Sequence, residues 1–381
     1  MLHFSDTEFA RRRAATTQAM QQAGLDALLL FAPESHYWLT GYDTFGYCHF
    51  QCLIWDGTRA VLLTRSADLQ QAQLTSNIED IRIWRDRAGF DPTDDLASLL
   101  TELGLAGKRL GVEWDCHGLT GRNGMRLAAQ PALTKACDAS ALISPLRLVK
   151  SAEELAYVRR AAELHDDALD AGLAAIRPGA DESGVFAAMH HAVFTGGGGA
   201  PGNPFVIGGG QHALLCRTQE GRGTFGPRDQ VTVEWAGTFR HYHVAGMRTV
   251  VIGEPRPEHL SMHAAAQDAL LACEQAMRPG RRMAEVFDAH ARVLDAAGLS
   301  AHRLNACGYA LGTRYAPSWM EREMFYEGAP VEMGPGMVFF LHMILMDSDS
   351  GAAMCLGRTS LIGETGAAPL TRDGLEMLRV D

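Results

Sequence analysis

Side chains able to do chemistry are concentrated in one stretch of the chain, residues 229–249. The stretch combines one carboxylate with two imidazoles and two guanidinium groups: Glu234, His241, His243, Arg240 and Arg248. Polar groups in an otherwise apolar strand pair are unfavourable to bury unless they are paired or take part in a reaction. We therefore predict that this stretch holds the centre of an active site.

Glu234 is the first candidate for a chemical role. In a partly desolvated pocket its carboxylate would act as a nucleophile or a general base. The alternative is structural, a buried acid paired with Arg240 or Arg248. The two histidines, His241 and His243, also have a structural alternative, because they could be exposed strand residues without a chemical role. We expect at least one of them to face the pocket and move a proton, His243 first and His241 second.

A metal site is a further interpretation of the same residues. Glu234, His241, His243 and His342 are acceptable ligands for zinc or iron. That arrangement requires side chains from three strands to converge. The residues alone leave this alternative open.

Periodicity predicts the elements that must position these residues. Val231 and Val233 alternate with polar neighbours, which predicts a strand, and a tight turn is predicted at residues 236–238. On the return strand His241, His243 and Ala245 would share one face, because side chains alternate with period two.

Composition narrows the class of protein. A length of 381 residues favours two domains. The formal net charge of −11, without a basic cluster, argues against a nucleic-acid partner. No apolar run approaches the roughly 18 residues of a membrane span, and the first residues lack a signal pattern. Eight scattered cysteines without a CxxC pair predict reduced thiols. We expect a cytoplasmic protein without a membrane partner.

Residues 1–147 alternate helix and strand signals, which is typical of an α/β domain. A first capping box at residues 5–8 opens a helix that can run to Gly24. A second capping box, Ser151-Ala-Glu-Glu154, opens a helix that ends before Pro178. The boundary is therefore predicted between residues 147 and 151, with the second domain at residues 151–381.

The second domain contains an internal repeat. The pattern that includes Arg177-Pro-Gly179 and Val185-Phe186 recurs 101 residues later at Arg278-Pro-Gly280 and Val286-Phe287. We interpret this as a duplication, each half being two helices that lead into strands. Two such halves around a central sheet would leave a pocket between them.

These features together resemble the creatinase/aminopeptidase P family, which has the pita-bread fold. The resemblance covers essentially the whole chain and is carried by Val231–Thr249, Gly308–Gly312, Pro335–Val338 and Arg358–Gly366. It implies an α+β protein with two parts. A pita-bread catalytic domain with an internal duplication, at residues 151–381, would follow an α/β creatinase-like N-terminal domain at residues 1–147.

Metallopeptidases of this family hold two metal ions with two aspartates, one histidine and two glutamates. The matching positions here are Glu234, Ala245, Tyr309, His342 and Gly357. Alanine and glycine cannot ligate, tyrosine is a poor replacement for imidazole, and two divalent ions need several carboxylates. The resemblance therefore implies an enzyme without metal or other cofactor.

The metal-free relatives are creatinase and ectoine hydrolase, and the chain looks more like ectoine hydrolase. The similar segments include Glu234–Gly237, Cys307–Gly312 and Tyr315–Trp319. The implied activity is hydrolysis of a C–N bond, other than a peptide bond, in a small zwitterionic amidine or amide. A metal-dependent Xaa-Pro dipeptidase or aminopeptidase and a non-catalytic binding protein of the same fold are the alternatives.

The resemblance also suggests roles for individual residues. Glu234 would complement a cationic amidinium, and Tyr309 and His342 would orient the substrate or donate hydrogen bonds to it. A guanidinium group would bind the substrate carboxylate, and an indole would contribute to binding; the candidates are Arg217, Arg240, Arg248 and Trp319.

In this family the N-terminal domain of one subunit commonly covers the pocket of its neighbour. The resemblance thus implies a homodimer. Trp38, Phe45, Tyr47 and His49 would then line the site of the partner subunit.

Overall fold

The computed structural model describes residues 2–218, 223–372 and 374–381. They divide into two compact units, with the boundary between Arg147 and Leu148. No helix in these ranges is both long and apolar enough to cross a membrane. All eight cysteines lie within them and carry free thiols.

The first unit is built on a mixed sheet covered by helices. Its elements are α1 (Asp6–Gln22), β1 (Ala27–Leu30), α2 (Pro33–Thr40), β2 (Cys52–Trp55), β3 (Ala60–Arg65), α3 (Leu69–Thr75), β4 (Asp80–Trp84), α4 (Pro92–Glu102), β5 (Leu110–Val112), α5 (Gly121–Ala128) and β6 (Cys137–Asp138), followed by α6 (Ser144–Leu148). The described strands take the order β4-β3-β2-β1-β5-β6. Two apolar clusters form the core of this unit. The alternation of helices and strands follows the sequence pattern.

The aromatic segment at residues 33–49 holds a helix that the sequence pattern does not predict. Pro33 occupies the first turn of α2, and Gly41 ends the helix with a φ of 81°. After it, Phe45 is 83% exposed, and His49 is also exposed. Tyr47 lies between them in a short 3₁₀ turn and is half-buried. That these side chains line the site of a partner subunit stays a prediction.

The second unit is built on a longer sheet. Its elements are α7 (Ala152–Ala175), α8 (Glu182–Thr195), β7 (Val206–Gly209), β8 (Asp229–Phe239), β9 (Tyr242–Ile252), α9 (Pro257–Ala276), α10 (Met283–Ala296), β10 (Ala306–Ala310), β11 (Met324–Tyr326), β12 (Val338–Asp347), β13 (Ala352–Ile362), β14 (Ala367–Pro369) and β15 (Leu378–Val380). Over the described residues the main strand order is β11-β10-β12-β13-β9-β8-β7. The helix α9 packs on β12 and β13, and α10 packs on α9 and β11. One apolar cluster of the described residues joins these elements.

The internal repeat in the sequence has a structural counterpart. Both ends of α10 lie 101 residues after the corresponding ends of α8, and α9 ends 101 residues after α7. Gly179 and Gly280, which follow the first helix of each pair, have φ values of 76° and 79°. Glycine adopts this left-handed conformation without strain. The two helices of the repeat are therefore followed by a glycine in the same conformation.

The turn of the central hairpin is not where the sequence pattern places it. Arg240 and His241 form the turn, with φ values of 48° and 66°. The prediction of a turn at residues 236–238 is wrong. Gly237 lies inside β8 because α7 packs directly on it, and a side chain there would collide with the carbonyl oxygen of Ala161. His241 is therefore not a residue of the return strand.

The two faces of the hairpin differ. The ring of Trp235 stacks on that of His165 in α7, with centroids 4.6 Å apart. Its indole N–H donates to the His165 carbonyl at 3.0 Å. Because strand side chains alternate, Glu234 points to the opposite face. Arg248 is the direct partner of Val233 and so lies on the face covered by helices.

Candidate active site

Cross-strand pairing places three of the predicted catalytic residues, Glu234, Tyr309 and His342, on one face of the sheet. Glu234 is paired with Met247, Met247 with Gly357, and Gly357 with His342. Direct partners on neighbouring strands project from the same face. Tyr309 on β10 joins this face through its pairing with Phe340, two residues before His342. The sheet thus brings Glu234 and His342, which are 108 positions apart in the chain, to the same face.

A cavity of about 580 Å³ opens at the Glu234 end of this face. Its wall combines aromatic and proline side chains with few polar groups; the lining residues include Phe186, His190, Phe194, Pro201, Asn203, Pro204, Val206, Cys216, Arg217, Glu234, Pro317 and Ser318. Its volume suits a small organic molecule. Of the predicted site residues, Glu234 and Arg217 line this cavity.

Among the described residues that line the cavity, Glu234 is the acidic one. Burial raises the pKa of its carboxyl to about 7, although the charge of Arg217 and a hydrogen bond from Tyr309 act in the opposite direction. Near neutral pH the residue therefore exists in both protonation states. A carboxyl group tuned in this way can give or take a proton at physiological pH.

Tyr309 and Trp319 stand behind Glu234. The Tyr309 hydroxyl lies 3.5 Å from Glu234 Oε1 and accepts a hydrogen bond of 2.8 Å from the indole N–H of Trp319. Burial holds the pKa of Tyr309 well above its usual range, and the charge of Glu234 adds to this effect. The phenol therefore keeps its proton and can donate it in a hydrogen bond to Glu234.

Cys216 also lines the cavity, next to Arg217 in the chain. Burial and the nearby charge of Glu234 raise the pKa of this thiol. A thiol needs a lowered pKa to be a good nucleophile near neutral pH. Cys216 thus contributes to the wall rather than to the chemistry.

His243 does not line the cavity, although it lies on the same face as Glu234. It is buried, and its Nε2 accepts a hydrogen bond of 2.9 Å from the backbone N–H of Gly202. Burial lowers the pKa of His243 to about 3. The imidazole therefore stays neutral and holds the Gly202 loop, and the prediction that it carries the proton is not supported by this geometry.

His241 and Arg240 are held at the turn, outside the lining of the cavity. The His241 ring stacks on Tyr315, with centroids 4.0 Å apart. The guanidinium of Arg240 lies 4.7 Å from the ring centre of Tyr157 and donates to the hydroxyl of Tyr157. Because both residues have positive φ values, their side chains do not follow the alternation between the two faces that a strand would give them.

Arg248 and His342 are buried in other surroundings. Arg248 lies on the helix-covered face, where it donates to the carbonyl oxygen of Gly374. It does not line the cavity, and its role in binding a substrate carboxylate stays a prediction. His342 packs beside Tyr309 and Phe340, with ring centroids 5.7 and 5.6 Å away. Burial lowers its pKa to about 4, and the nearby His290 adds to this effect.

Sequence reasoning missed the contribution of α8 to the cavity. Phe186, His190 and Phe194 are spaced four residues apart, and all three line the cavity. This spacing places them on one face of a helix. A histidine within an aromatic stripe was the signal available in the sequence.

The residues on this face do not fit a pair of metal ions. No group of three or more His, Cys, Asp or Glu side chains able to hold a metal occurs in the described parts of the chain. The space above Gly357 is filled, since a Cβ there would lie 2.9 Å from the ring of Phe340 and 2.7 Å from the carbonyl oxygen of Leu341. An aromatic ring thus occupies the place where the resemblance puts a ligand.

Comparisons with known proteins agree with this architecture. A model of metallopeptidase family M24 matches residues 156–364, and a model of the creatinase/prolidase N-terminal domain matches residues 12–149. The chain is 28% identical to an uncharacterised hydrolase/peptidase of Sinorhizobium fredii, over 100% of both chains. It is 25% identical to the ectoine hydrolase of Halomonas elongata, over 97% of this chain and 96% of the relative.

A solved structure shows the same fold. The dipeptidase of Mycobacterium ulcerans superposes with a TM-score of 0.85 at 24% identity, covering 99% of each chain. The expected fold, a pita-bread domain after a creatinase-like N-terminal domain, is thereby confirmed. The sheet and helices described above are those of this fold.

Proposed function

The chain is a hydrolase of metallopeptidase family M24, and we propose that it cleaves a non-peptide C–N bond of a small amidine or amide without a metal ion. The observation that carries the proposal is the set of side chains on the face of the sheet that holds Glu234, Tyr309 and His342. Where the resemblance places metal ligands, the chain has one carboxylate, Glu234, beside an alanine, a glycine, a phenol and a buried neutral imidazole. One carboxylate does not offset the charge of two divalent ions.

The relatives support hydrolysis as the class of reaction. The ectoine hydrolase of Halomonas elongata is similar over almost its whole length. The dipeptidase of Mycobacterium ulcerans is about as similar in sequence. The filled space above Gly357 leaves no room for a metal-ligating side chain. This favours an activity like that of the ectoine hydrolase over an activity like that of the dipeptidase.

The cavity has the polarity that a small zwitterion requires. A substrate amidine would meet Glu234, and the pair would share one proton. The phenol of Tyr309 would donate to the carboxylate from behind and hold its orientation. Arg217, an exposed side chain of the cavity wall, would bind the substrate carboxylate in two parallel hydrogen bonds.

The test is a substrate screen on metal-depleted protein. The protein is treated with EDTA, its metal content is measured, and it is assayed with ectoine, hydroxyectoine, creatine and Xaa-Pro dipeptides. We expect turnover of an amidine or guanidino compound that neither EDTA nor added Mn²⁺ changes. Glu234→Gln should abolish this turnover, and the exposed control Glu364→Gln should leave it unchanged.

Two results would overturn the proposal. One is dipeptide cleavage that requires an added metal ion. The other is full activity of Glu234→Gln on the amidine.

A further inference from the structure

A histidine that none of the motifs includes lies in the cavity wall. His190 is on α8, half-buried, and lines the same cavity as Glu234. Its ring stacks on that of Phe186, with centroids 4.2 Å apart, and lies tilted against that of Phe205, with centroids 4.1 Å apart. Contacts with two aromatic rings restrict the rotation of the imidazole, so its orientation is set by packing.

The hydrogen bond of His190 determines its tautomer. Nδ1 lies 3.0 Å from the backbone carbonyl oxygen of Phe186, one turn earlier in the helix. A carbonyl oxygen only accepts hydrogen bonds, so Nδ1 carries the proton. In the neutral ring Nε2 then has a lone pair that can accept a proton. No described residue forms a hydrogen bond with it.

The three histidines predicted from the sequence lack this property. The Nε2 lone pair of His243 is used by the N–H of Gly202. His241 is stacked on Tyr315 at the turn, and His342 is buried behind Tyr309. None of the three lines the cavity. Within the described ranges, His190 is the histidine that lines it.

We infer that His190 is the proton-accepting residue of this active site, with Nε2 taking a proton from the attacking water. The inference rests on the proposed function. Burial lowers the pKa of His190, which keeps the imidazole neutral and able to accept a proton at pH 7. Among the residues that the structure describes, the other titratable or charged side chains lining the cavity are Glu234, Cys216 and Arg217.

The reaction balances with these two residues. As water forms the new C–O bond, one of its protons passes to His190 Nε2, and the amidine nitrogen takes the proton that it shares with Glu234. The resulting tetrahedral intermediate then loses its C–N bond. The leaving nitrogen takes the proton from His190, and Glu234 recovers one from the hydroxyl that becomes the carbonyl. One water is consumed, and both residues end as they began.

The experiment compares two neighbouring histidines of α8. His191 is exposed, so His191→Ala is a matched control for His190→Ala. With ectoine as the probe, we expect His190→Ala to lower kcat by about 100-fold to 10,000-fold and to change KM little. Added imidazole should restore part of kcat, since the space left by the side chain can hold it. His191→Ala should match the wild type.

Other outcomes overturn the inference. His190→Ala within threefold of wild-type kcat shows that the residue carries no proton. A rise in KM alone, or a loss of activity that imidazole does not rescue, shows that His190 is only part of the wall.

A readout without turnover separates this inference from the proposed function. In ¹⁵N NMR spectra assigned with His190→Ala, the His190 ring should show a protonated Nδ1 and titrate below the usual histidine range. If the wild type hydrolyses no amidine but this signature is present, the proposed function fails while the assigned geometry stands. A protonated Nε2, or titration in the usual range, contradicts the assignment of His190 itself.

Discussion

The indole N–H of Trp319 donates a hydrogen bond of 2.8 Å to the hydroxyl oxygen of Tyr309. Because that oxygen is used as an acceptor, the phenolic proton is directed to Glu234 Oε1, 3.5 Å away. The contact is long for a hydrogen bond of this type. The two contacts nevertheless form a series of donors and acceptors, from the indole to the phenol to the carboxylate, that ends at the cavity.

Tyr309→Phe removes the donor behind Glu234 and leaves the buried Trp319 N–H without this acceptor. We expect kcat for the amidine to fall about 10-fold to 100-fold, by analogy with the loss of a positioned donor. We also expect the pKa of Glu234 to rise, because the hydrogen bond from Tyr309 lowers it. Infrared titration of the Glu234 carboxyl band would measure the change. A lower pKa in Tyr309→Phe would contradict the order described above.

Glu234→Gln should change how stability depends on pH. The pKa of Glu234 is about 7 in the folded protein and 4.5 in its usual state. Between these values the folded state binds a proton that the unfolded state has lost, so the wild type loses stability as pH rises through this window. Glutamine does not titrate. Relative to the wild type, Glu234→Gln should therefore gain about 1–3 kcal/mol between pH 4.5 and pH 8.

Thermal unfolding at both pH values measures this difference. The exposed control Glu364→Gln should show the pH dependence of the wild type. A gain of Glu234→Gln on acidification, rather than at pH 8, would show that the carboxyl is ionised more readily in the folded state than in the unfolded one.

His243→Phe tests the role of the imidazole that holds Gly202. The variant leaves the Gly202 N–H without its acceptor and should lower the free energy of unfolding by about 1–3 kcal/mol at pH 7.5. The pKa of His243 is lowered to about 3 in the folded protein. Below the usual value of 6.5 the unfolded state binds more protons, so this residue lowers stability as pH falls.

The phenylalanine variant lacks that proton uptake. Between pH 6.5 and pH 5 the free energy of unfolding should decrease less in the variant than in the wild type. The two decreases should differ by about 2 kcal/mol. Urea unfolding at three pH values gives the comparison, with the exposed His191→Phe as control. Equal acid sensitivity of His243→Phe and the wild type would mean that His243 is protonated in the folded state.

Gly237→Ala tests why a glycine lies inside β8. The added methyl would collide with backbone atoms of α7 at Ala161 and His165, which cannot move independently of the helix. We expect a loss of more than about 3 kcal/mol in stability or a failure to fold. Gly184→Ala in α8 meets no atom within 4 Å and should stabilise the protein by about 0.5–1 kcal/mol. Circular dichroism melting curves give the melting temperatures of the two variants. Equal melting temperatures would contradict close packing at Gly237.

Local patterns in the sequence determined much of this protein. The Ser151 capping box forms both of its hydrogen bonds at the start of α7. The repeat of 101 residues predicted the correspondence of α8 with α10. The resemblance placed Glu234 and Tyr309 at equivalent family positions, and pairing across the sheet puts both on one face. These features depend on residues that are close in the chain or on motifs that can be matched directly.

Only the tertiary structure decided which histidine belongs to the cavity. Alternation along a strand gives the face of a side chain, but it does not show what packs above that face. The loop at Gly202 lies above His243 and uses its lone pair. His190 reaches the cavity from a helix, α8, that ten residues separate from β7. The same limit explains Gly237, where the approach of α7 rather than a turn requires glycine, because packing between distant segments leaves no local pattern.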